Sequence, residues 1–476
     1  MKHTLFLGSA ALALIISPLA FQTSANAQFS SRSDAMTIDP QRGVLTMAPL
    51  LERVTPAVVS INTLDEVDDD DDENRSREEE LLERFFGGRI PSNRAPRAGL
   101  GSGVIIDASA GLIITNNHVI DGADEITVTF EDRRKVEAEL VGTDPDTDIA
   151  LLKVDATNLR ELQFARAGEA KVGDFVIAVG NPFGLSSTVT SGIVSALGRE
   201  QGGGNRYENY IQTDASINPG NSGGALVNSK GELIGINTAI LTRSGGNNGI
   251  GFAVPVRTVK NVVEQLRENG EVRRGRIGVS IQDVTPELRA SLGLSSLNGA
   301  LIGQVVAGAP AEKAGLESGD VVVKFNGEDI IDSADLRNLV GLLQPGTRAD
   351  ITFLRDGSRR TTKITVAETP QEEERTERAS IDDDEDLDVV EAFDGAEVSN
   401  IPKELDLRGG DEGVYVASIE RGSLAWRSGL RRGDVIRQVG KNDISDLDDF
   451  EDAIRGDGPF ALQVESRGQT RFLAVK

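Results

Sequence analysis

Short apolar runs separated by turn residues fill the first half of the chain. They are rich in β-branched side chains and lie at residues 57–63, 102–107, 125–130, 135–141, 149–154, 175–180, 189–196 and 232–241. Strands at this spacing, with no long helices between them, predict a barrel or sandwich and argue against βαβ units. A helix is predicted at residues 256–269, where apolar residues recur along one face and Gly270 follows as a stop.

Two charged segments interrupt this pattern. Residues 66–96 form an acidic insertion that contains the adjacent aromatic residues Phe85 and Phe86. Residues 370–388 form a second acidic stretch that is poor in apolar residues. Such compositions are typical of solvated chain outside a packed core. We therefore predict a loop insertion for the first segment and an interdomain linker for the second.

An internal repeat lies on either side of the predicted linker. Gly-Ala-Pro-Ala-Glu-Lys-Ala-Gly at 308–315 returns as Gly-Ser-Leu-Ala-Trp-Arg-Ser-Gly at 422–429. Gly-Asp-Val follows both copies at the same offset, and so does the pair Asp335 and Asp449. A gapless register of this length predicts two copies of one domain.

The N-terminus has the features of a secretory signal. Lys2 supplies positive charge, residues 5–19 are largely apolar, and Ala-Asn-Ala at 25–27 offers a small-x-small cleavage site. The alternative is a membrane-spanning helix, but this run is shorter than the ~20 residues that a span needs, and Pro18 interrupts it. We predict export to the periplasm and a mature chain that begins near Gln28.

Composition narrows the possible chemistry. The 476 residues predict about three domains. A formal net charge of −26 repels nucleic-acid phosphates, so nucleic acid is not an expected partner. Cysteine is absent, which excludes disulfides and thiol chemistry. With only 2 histidines in the chain, a zinc site built by the protein is not expected, and we predict neither a metal nor a cofactor.

One histidine remains once the predicted signal peptide is removed. His118 lies in Thr-Asn-Asn-His-Val-Ile at 115–120 and follows an apolar run. A lone histidine is often incidental, but the unperturbed pKa of this side chain type suits proton transfer near neutral pH. A side chain just after a strand can project from the edge of a barrel. His118 is therefore the candidate general base.

The candidate nucleophile lies in Asn-Pro-Gly-Asn-Ser-Gly-Gly at 218–224. A serine flanked by glycines can occupy a tight turn that exposes Oγ. The same turn can aim the N–H groups of Gly220 and Ser222 at a developing oxyanion. An ordinary glycine-rich loop is one alternative. The nucleophile elbow of α/β-hydrolases is another, but that class has its histidine after the serine, and no histidine follows Ser222.

Three carboxylates are candidates for the acid of a triad, namely Asp144, Asp146 and Asp148. The acid must hold the imidazole in one tautomer. Asp148 directly precedes the apolar run at 149–154, so it is the residue most readily drawn into a buried position. The segment imitates the start of a calcium-binding EF-hand loop, but Ile149 stands where that loop needs glycine, so calcium binding is not predicted.

These motifs follow one another in the order and spacing found in HtrA-family proteases, together with Asn-Pro-Phe-Gly at 181–184 and Ile-Gln-Thr-Asp-Ala at 211–215. The repeats resemble PDZ domains, and two of them indicate the Do-type branch of that family. The resemblance covers residues 49–476. It implies a mostly β fold, in which a chymotrypsin-like double β-barrel protease domain precedes two PDZ domains. It also implies the triad His118, Asp148 and Ser222, with Gly220 and Ser222 as oxyanion donors.

The resemblance further assigns residues to substrate binding. Ile217 and Ile240 match positions that line an apolar S1 pocket for small aliphatic P1 residues. The loop that binds a peptide carboxylate in the first PDZ domain corresponds to Arg276, Ile277, Gly278 and Val279. Residues 393–396 match this loop in the second domain, but Phe-Asp-Gly-Ala departs from the usual short apolar sequence. PDZ domains add a partner's C-terminal strand to a sheet edge, so exposed tails are expected ligands.

The expected layout is a signal peptide at 1–27, a trypsin-like protease domain at 28–270, a PDZ domain at 271–367, an acidic linker at 368–388 and a second PDZ domain at 389–476. The resemblance implies an ATP-independent serine endopeptidase for quality control of misfolded or unfolded periplasmic proteins under stress, with a chaperone role as well. It implies a trimer-based homo-oligomer or a larger cage. Two alternatives stay open: a chaperone with a silent protease site, and a scaffold whose PDZ pair is the whole function.

Overall fold

The structure, a computed structural model, describes residues 37–65, 97–182, 187–200, 207–218, 220–240, 249–369, 390–402, 412–455, 458–466 and 469–475. The predicted signal peptide, the acidic insertion with Phe85 and Phe86, and residues 370–388 of the predicted linker lie outside the described residues. None of the helices within the described ranges is long and apolar enough to cross a membrane.

An N-terminal hairpin and helix lead into a closed six-stranded barrel. The elements are β1 (Thr37–Ile38), β2 (Leu45–Thr46), α1 (Ala48–Val54), a 3-10 turn (Thr55–Ala57), β3 (Val58–Asp65), β4 (Arg97–Asp107), β5 (Leu112–Thr115), α2 (Asn117–Ile120), β6 (Glu125–Thr129), β7 (Lys135–Asp144) and β8 (Ile149–Val154). The barrel order is β3-β4-β5-β8-β7-β6, and β6 pairs back onto β3.

A second closed barrel follows and ends in a helix. Its elements are β9 (Phe175–Gly180), β10 (Thr188–Arg199), β11 (Tyr210–Thr213), β12 (Ala225–Asn228), β13 (Leu233–Ile240), β14 (Gly251–Pro255) and α3 (Val256–Asn269). The order is β10-β11-β14-β13-β12-β9, closed by pairing of β9 with β10. Helix α3 has the bounds predicted from its apolar spacing, and Gly270 ends it with a φ of 75°.

Alternate residues of the barrel strands belong to different cores. In β8, Ala150 and Leu152 join the interior of the first barrel. Ile149 and Leu151 face outward and join a larger core with strands of the second barrel and with α3. Because both faces of β8 are buried, its apolar run is nearly continuous instead of alternating with polar residues. The two barrels therefore share a core.

The first repeat forms a sheet flanked by short helices. Its elements are β15 (Gly275–Arg276), β16 (Val279–Asp283), α4 (Pro286–Ser291), β17 (Ala300–Val305), α5 (Pro310–Lys313), β18 (Val321–Phe325), β19 (Glu328–Asp329), α6 (Ser333–Gly341), β20 (Arg348–Arg355), β21 (Ser358–Thr365) and β22 (Ala367–Glu368). The sheet order is β16-β17-β18-β20-β21, with β19 beside β18, and β15 pairs separately with β22. Among the described residues, β16 is therefore an end strand.

The second repeat has the same architecture with one change at the sheet edge. Its elements are β23 (Val390–Phe393), β24 (Ala396–Asn400), β25 (Val414–Ile419), α7 (Leu424–Arg427), β26 (Val435–Val439), β27 (Asn442–Asp443), α8 (Leu447–Ala453), β28 (Phe460–Ser466) and β29 (Gln469–Val475). The order is β23-β24-β25-β26-β28-β29. The first strand of this repeat has joined the main sheet.

The predicted fold class is confirmed, because two barrels precede two copies of one domain. Each of the eight predicted runs overlaps a strand of the structure. Four barrel strands, β5, β11, β12 and β14, fall outside these runs. These strands are only 4 or 5 residues long, and ladder partners distant in sequence hold them in the barrel.

Candidate active site

His118 and Asp148 meet at the mouth of the first barrel. His118 lies on α2 directly after β5, and Asp148 ends the turn between β7 and β8. The His118 ring atom Nδ1 lies 2.7 Å from Asp148 Oδ2 and 2.9 Å from Oδ1. The His118 backbone N–H also donates to Oδ1 at 3.0 Å. The carboxylate therefore fixes both the ring and the backbone of the histidine.

Groups from both barrels hold Asp148 in this position. Asp148 has a φ of 56°, a left-handed conformation that aspartate adopts more readily than most residues. The Asn116 side-chain amide donates to the Asp148 carbonyl oxygen at 2.8 Å. Thr238, on β13 of the second barrel, donates its hydroxyl to Asp148 Oδ2 at 2.5 Å. Thr238 and Asn116 were not singled out in the sequence, which carries no local signal for contacts of this kind.

Ser222 lies in a turn that only glycines can complete. The Asn221 N–H donates to the Asn218 carbonyl at 2.9 Å and closes the turn. Gly220 and Gly223 have φ values of 89° and 79°. A Cβ atom at Gly220 would collide with Pro182, and one at Gly223 would collide with a backbone carbonyl of β4. The glycine-rich sequence is thus required by this backbone path.

Ser102 of the first barrel ties the Ser222 turn in place. Its N–H donates to the Ser222 carbonyl at 2.8 Å, and its hydroxyl donates to the Gly220 carbonyl at 2.6 Å. The Asn181 N–H donates to the Ser102 hydroxyl oxygen at 2.8 Å. The amide N–H groups of Gly220 and Ser222 donate to no atom of the residues that the structure describes. Two neighbouring backbone donors are therefore available at this turn.

Thr238 links the serine to the acid. The half-buried Ser222 donates its hydroxyl to the Thr238 carbonyl oxygen at 3.2 Å, while the Thr238 hydroxyl contacts Asp148. A chain of contacts thus runs from His118 through Asp148 and Thr238 to Ser222. A hydroxyl, an imidazole and a carboxylate are the groups that nucleophilic acyl transfer requires.

The other two candidate acids lie elsewhere in the same turn. The Arg274 guanidinium, at the start of the first PDZ domain, donates to Asp144 Oδ1 at 2.7 Å. Burial raises the pKa of Asp144, and the neighbouring Arg274 offsets only part of that rise. The Arg274 guanidinium also stacks on the Tyr207 ring, 4.4 Å from its centroid. The Asp146 side chain is 51% exposed. A buried ion pair therefore joins the Asp148 turn to the PDZ domain.

The two predicted S1 residues, Ile217 and Ile240, both belong to the second barrel. Ile217 is 1% exposed and packs in the interior of the second barrel. Ile240 ends β13, where its backbone pairs with Gly251, and its side chain lies outside the described part of the structure. The S1 role of both residues stays a prediction.

The predicted carboxylate loop of the first PDZ domain presents open backbone donors. The Ile277 and Gly278 carbonyls accept hydrogen bonds from the Ala311 and Val306 amides, both at 2.9 Å. The N–H groups of Ile277 and Gly278 donate to no described atom. Gly278 has a φ of 76°, and a Cβ there would collide with Ala309. This loop lies beside the open edge of β16, as a site for a strand with a terminal carboxylate requires.

The second PDZ domain repeats the loop but not the open edge. The carbonyls of Asp394 and Gly395 accept hydrogen bonds from amides that correspond by the repeat to those of the first domain, at 3.3 Å and 2.7 Å. Asp394 stands where the first domain has Ile277, and its carboxylate accepts from the Leu424 N–H at 3.3 Å. Strand β23 pairs with β24 through Phe393 and Ala396. The edge equivalent to that of β16 is thus occupied by the chain itself.

Comparisons with known proteins agree with this architecture. Residues 101–236 match the trypsin-like peptidase domain family, and residues 275–366 and 415–466 each match a PDZ domain family. A probable periplasmic serine protease do/HhoA-like of Haemophilus influenzae is 42% identical, with 88% of this chain and 92% of the relative covered. The periplasmic serine endoprotease DegP of Escherichia coli is 37% identical over the full length of both chains.

A solved structure, titled HtrA-type protease AlgW with tripeptide, is also similar. It is 40% identical, has a TM-score of 0.54, and covers 69% of this chain and 98% of its own. The fold and these matches define a trypsin-like serine endoprotease that carries PDZ domains. The chain belongs to the DegP- and DegQ-containing HtrA family of periplasmic serine endoproteases, as its motifs predicted. The domain boundaries drawn from the sequence stay predictions.

Proposed function

We propose that this periplasmic endoprotease cleaves unfolded or misfolded polypeptides without ATP, with Ser222 as nucleophile, His118 as general base and Asp148 as orienting acid. The observation that carries the proposal is the contact of His118 Nδ1 with both Asp148 oxygens, at 2.7 Å and 2.9 Å. Thr238 adds support, because it contacts Asp148 and Ser222 together.

The proton path follows from the histidine geometry. With Nδ1 turned to the carboxylate, that nitrogen carries the proton, and Nε2 on the opposite side of the ring is the basic atom. When the Ser222 hydroxyl attacks the scissile carbonyl carbon, His118 Nε2 takes its proton and later gives it to the leaving amine. Asp148 stabilises the imidazolium that forms between these steps without itself becoming protonated.

The oxyanion is held by the backbone in this mechanism. The Gly220 and Ser222 N–H groups are the two donors for the negative oxygen of the tetrahedral intermediate. Ser102 occupies the carbonyls of both residues. The first barrel thus holds this turn in place before substrate arrives, and the two amides donate to no described atom. Removing one such donor typically costs ~10²–10³-fold in kcat.

Substrate capture is proposed for the first PDZ domain. A polypeptide tail would add to the outer edge of β16, with its carboxylate on the N–H groups of Ile277 and Gly278. This mode recognises an exposed end more than a sequence, which suits unfolded chains. Because capture and hydrolysis occur on separate domains, the protein can hold a chain without cleaving it, and we include a chaperone role in the proposal.

The experiment compares Ser222→Ala with the wild-type protein on an unfolded model substrate such as reduced casein. Loss of a triad member costs ~10⁴–10⁶-fold in rate, so Ser222→Ala should not degrade casein but should still bind it. The matched control is Ser229→Ala, which alters an exposed serine outside the cleft and should keep full activity. Residual cleavage within tenfold of wild type would reject Ser222 as nucleophile.

Wild type and Ser222→Ala also separate the two rival functions, one by casein digestion and the other by growth of cells. A chaperone with a silent site predicts no casein cleavage by the wild-type protein. A scaffold predicts that Ser222→Ala supports growth under folding stress as well as wild type does. The export signal, the mature start near Gln28 and the trimer-based assembly remain part of the proposal, and their supporting residues lie mainly outside the described ranges.

A further inference from the structure

The last strand of the second PDZ domain lies against the strand proposed to bind tails. The Gln282 side chain on β16 donates to the Phe472 carbonyl at 2.9 Å and accepts from the Phe472 N–H at 2.7 Å. Its amide thus pairs with the backbone of β29 as a neighbouring strand would. Ser280, two residues earlier, donates its hydroxyl to the Thr470 carbonyl at 3.0 Å.

The Phe472 side chain anchors this contact. Phe472 is 2% exposed, and the buried residues that share its cluster all come from the first PDZ domain, namely Val284, Leu288, Leu301 and Val321. An aromatic ring that fills a desolvated apolar pocket at the centre of a contact is typical of an interface hot spot. The second PDZ domain is therefore docked on the first.

The backbone of the first domain is shaped for this approach. A Cβ atom at Gly303, on β17, would lie 2.6 Å from the Thr470 carbonyl oxygen and 3.3 Å from Ser280 Oγ. Only glycine allows β29 to come this close. Beside it, the Gln463 amide of β28 donates to the Ser318 hydroxyl at 2.6 Å.

One face of strand β16 consequently packs on the first PDZ domain, and the opposite face contacts the second. Val279 and Ile281 pack against the core of the first PDZ domain, whereas Ser280 and Gln282 contact the second. An end strand with a single ladder partner depends on such packing for its order. If the strand is ordered before a tail arrives, binding need not bear the entropic cost of ordering it.

We propose that docking of the second PDZ domain, through Phe472 and Gln282, positions β16 and thereby raises the affinity of the first PDZ domain for C-terminal tails. Phe472 packs on the first domain and the Gln282 side chain bonds to the Phe472 backbone, so both act in this proposal as positioning residues. This inference rests on the proposed tail site at β16.

The test measures tail binding and docking separately in the full chain. All proteins carry Ser222→Ala to prevent cleavage. The probe is a fluorescent unstructured peptide with an apolar C-terminal residue, in free-carboxylate and amidated forms, titrated by anisotropy. Hydrogen exchange of residues 279–283 and 469–475 reports docking. The variants are Phe472→Ala, Phe472→Leu, Gln282→Ala and Gly303→Ala. The control is Gln438→Ala, because the Gln438 amide contacts Asp443 within its own hairpin.

Phe472→Ala and Gly303→Ala should speed exchange in both segments and weaken carboxylate-tail binding about five- to tenfold, the size of a typical coupling between sites. Phe472→Leu should retain most of the tail affinity, and Gln282→Ala should have an affinity between those of Phe472→Ala and Phe472→Leu. The control Gln438→Ala should bind the tail as tightly as the parent protein. Gly303→Ala removes no apolar atom from the first domain, so an affinity loss there is not explained by a damaged core. With Ser222 restored, KM for tailed substrates should rise while kcat on short internal peptides is unchanged.

Two results would overturn the inference. One is faster exchange with unchanged tail affinity, which would mean that docking does not position β16. The other is unchanged exchange and affinity in both Phe472→Ala and Gly303→Ala, which would mean that the domains are not docked in solution. If the parent protein binds free and amidated peptides equally, the proposed tail site itself fails, and this result is distinct from either of the others.

Discussion

The two PDZ domains share a loop and differ at the edge beside it. In the first domain β15 pairs with β22, and the outer edge of β16 has no partner strand among the described residues. In the second domain the corresponding strand, β23, turns back and pairs with β24. The loop glycines nevertheless have nearly equal φ values, 76° and 77°. Similar binding motifs can therefore flank an open edge in one repeat and an occupied edge in the other.

Single residues at the start of each repeat account for much of this difference. Gly275 of β15 lies so close to the carbonyls of Val340 and Leu343 that a Cβ atom would be 2.6 Å from both, and β15 pairs with β22 instead of joining the main sheet. In the second domain the Phe393 ring is buried, with its centroid 5.8 Å from that of Phe450 and 6.2 Å from that of Phe460. Packing of this ring holds β23 on the main sheet.

The buried Arg274–Asp144 ion pair attaches the first PDZ domain to the protease domain. The largest change in stability is expected when this pair is broken. Arg274→Met would leave the Asp144 carboxylate buried without its partner, which costs ~3–5 kcal/mol in free energy of unfolding. Burial raises the folded-state pKa of Asp144, so the folded protein binds the proton more readily than the unfolded chain. The destabilisation should be largest near neutral pH and shrink as the pH falls toward 3.8, the ordinary carboxyl value.

Urea unfolding of Arg274→Met and wild type across this pH range would check the prediction. The control is Asp144→Asn/Arg274→Met, which removes both charges and should recover much of the loss. A difference between variant and wild type that is independent of pH would show that the buried carboxylate is not its cause.

A matched pair of loop substitutions tests the comparison of the domains itself. Gly278→Val should abolish the carboxylate site of the first domain, because a Cβ there meets Ala309. Two hydrogen bonds to a charged group are worth ~3 kcal/mol or more, about a hundredfold in affinity. Gly395→Val makes the same collision with Ser423 in the second domain and should leave tail affinity unchanged. Equal losses in the two variants would mean that both domains bind tails.

The smallest effect is expected at an exposed ion pair between the two PDZ domains. Lys441 pairs with Asp356 across the domains, and the side chains are 80% and 58% exposed. Exposed pairs contribute only ~0–1 kcal/mol and are screened by salt. Lys441→Ala should therefore change neither the melting temperature nor tail affinity beyond experimental error at physiological ionic strength. A clear loss of docking by hydrogen exchange would show that Phe472 is not the main anchor.

The sequence predicted the features that depend on local pattern. The start and end of helix α3 were predicted correctly, because the apolar spacing and Gly270 define them. The repeat, with Gly308 and Gly422 in register, predicted two equivalent domains. His118 and Ser222 stood out because one is an isolated histidine and the other lies between glycines.

Contacts between distant parts of the chain could not be predicted in this way. Thr238 contacts Asp148 only because two closed barrels face each other, and nothing near Thr238 in the sequence marks it. The pairing of β23 with β24 depends on Phe393 packing against Phe450 of α8 and Phe460 of β28. The docking of Phe472 depends on a pocket built by four separate segments of the first PDZ domain.

The central claim, that Ser222 is the nucleophile activated by His118 and Asp148, is tested most directly by covalent labelling. A fluorophosphonate that reacts with activated serines should add one label per chain, and peptide mass mapping should locate it on Ser222. The label should be lost in His118→Ala, because the hydroxyl then has no base, and retained in Ser229→Ala. A label on another residue, or undiminished labelling of Ser222 in His118→Ala, would contradict the proposed catalytic assignment.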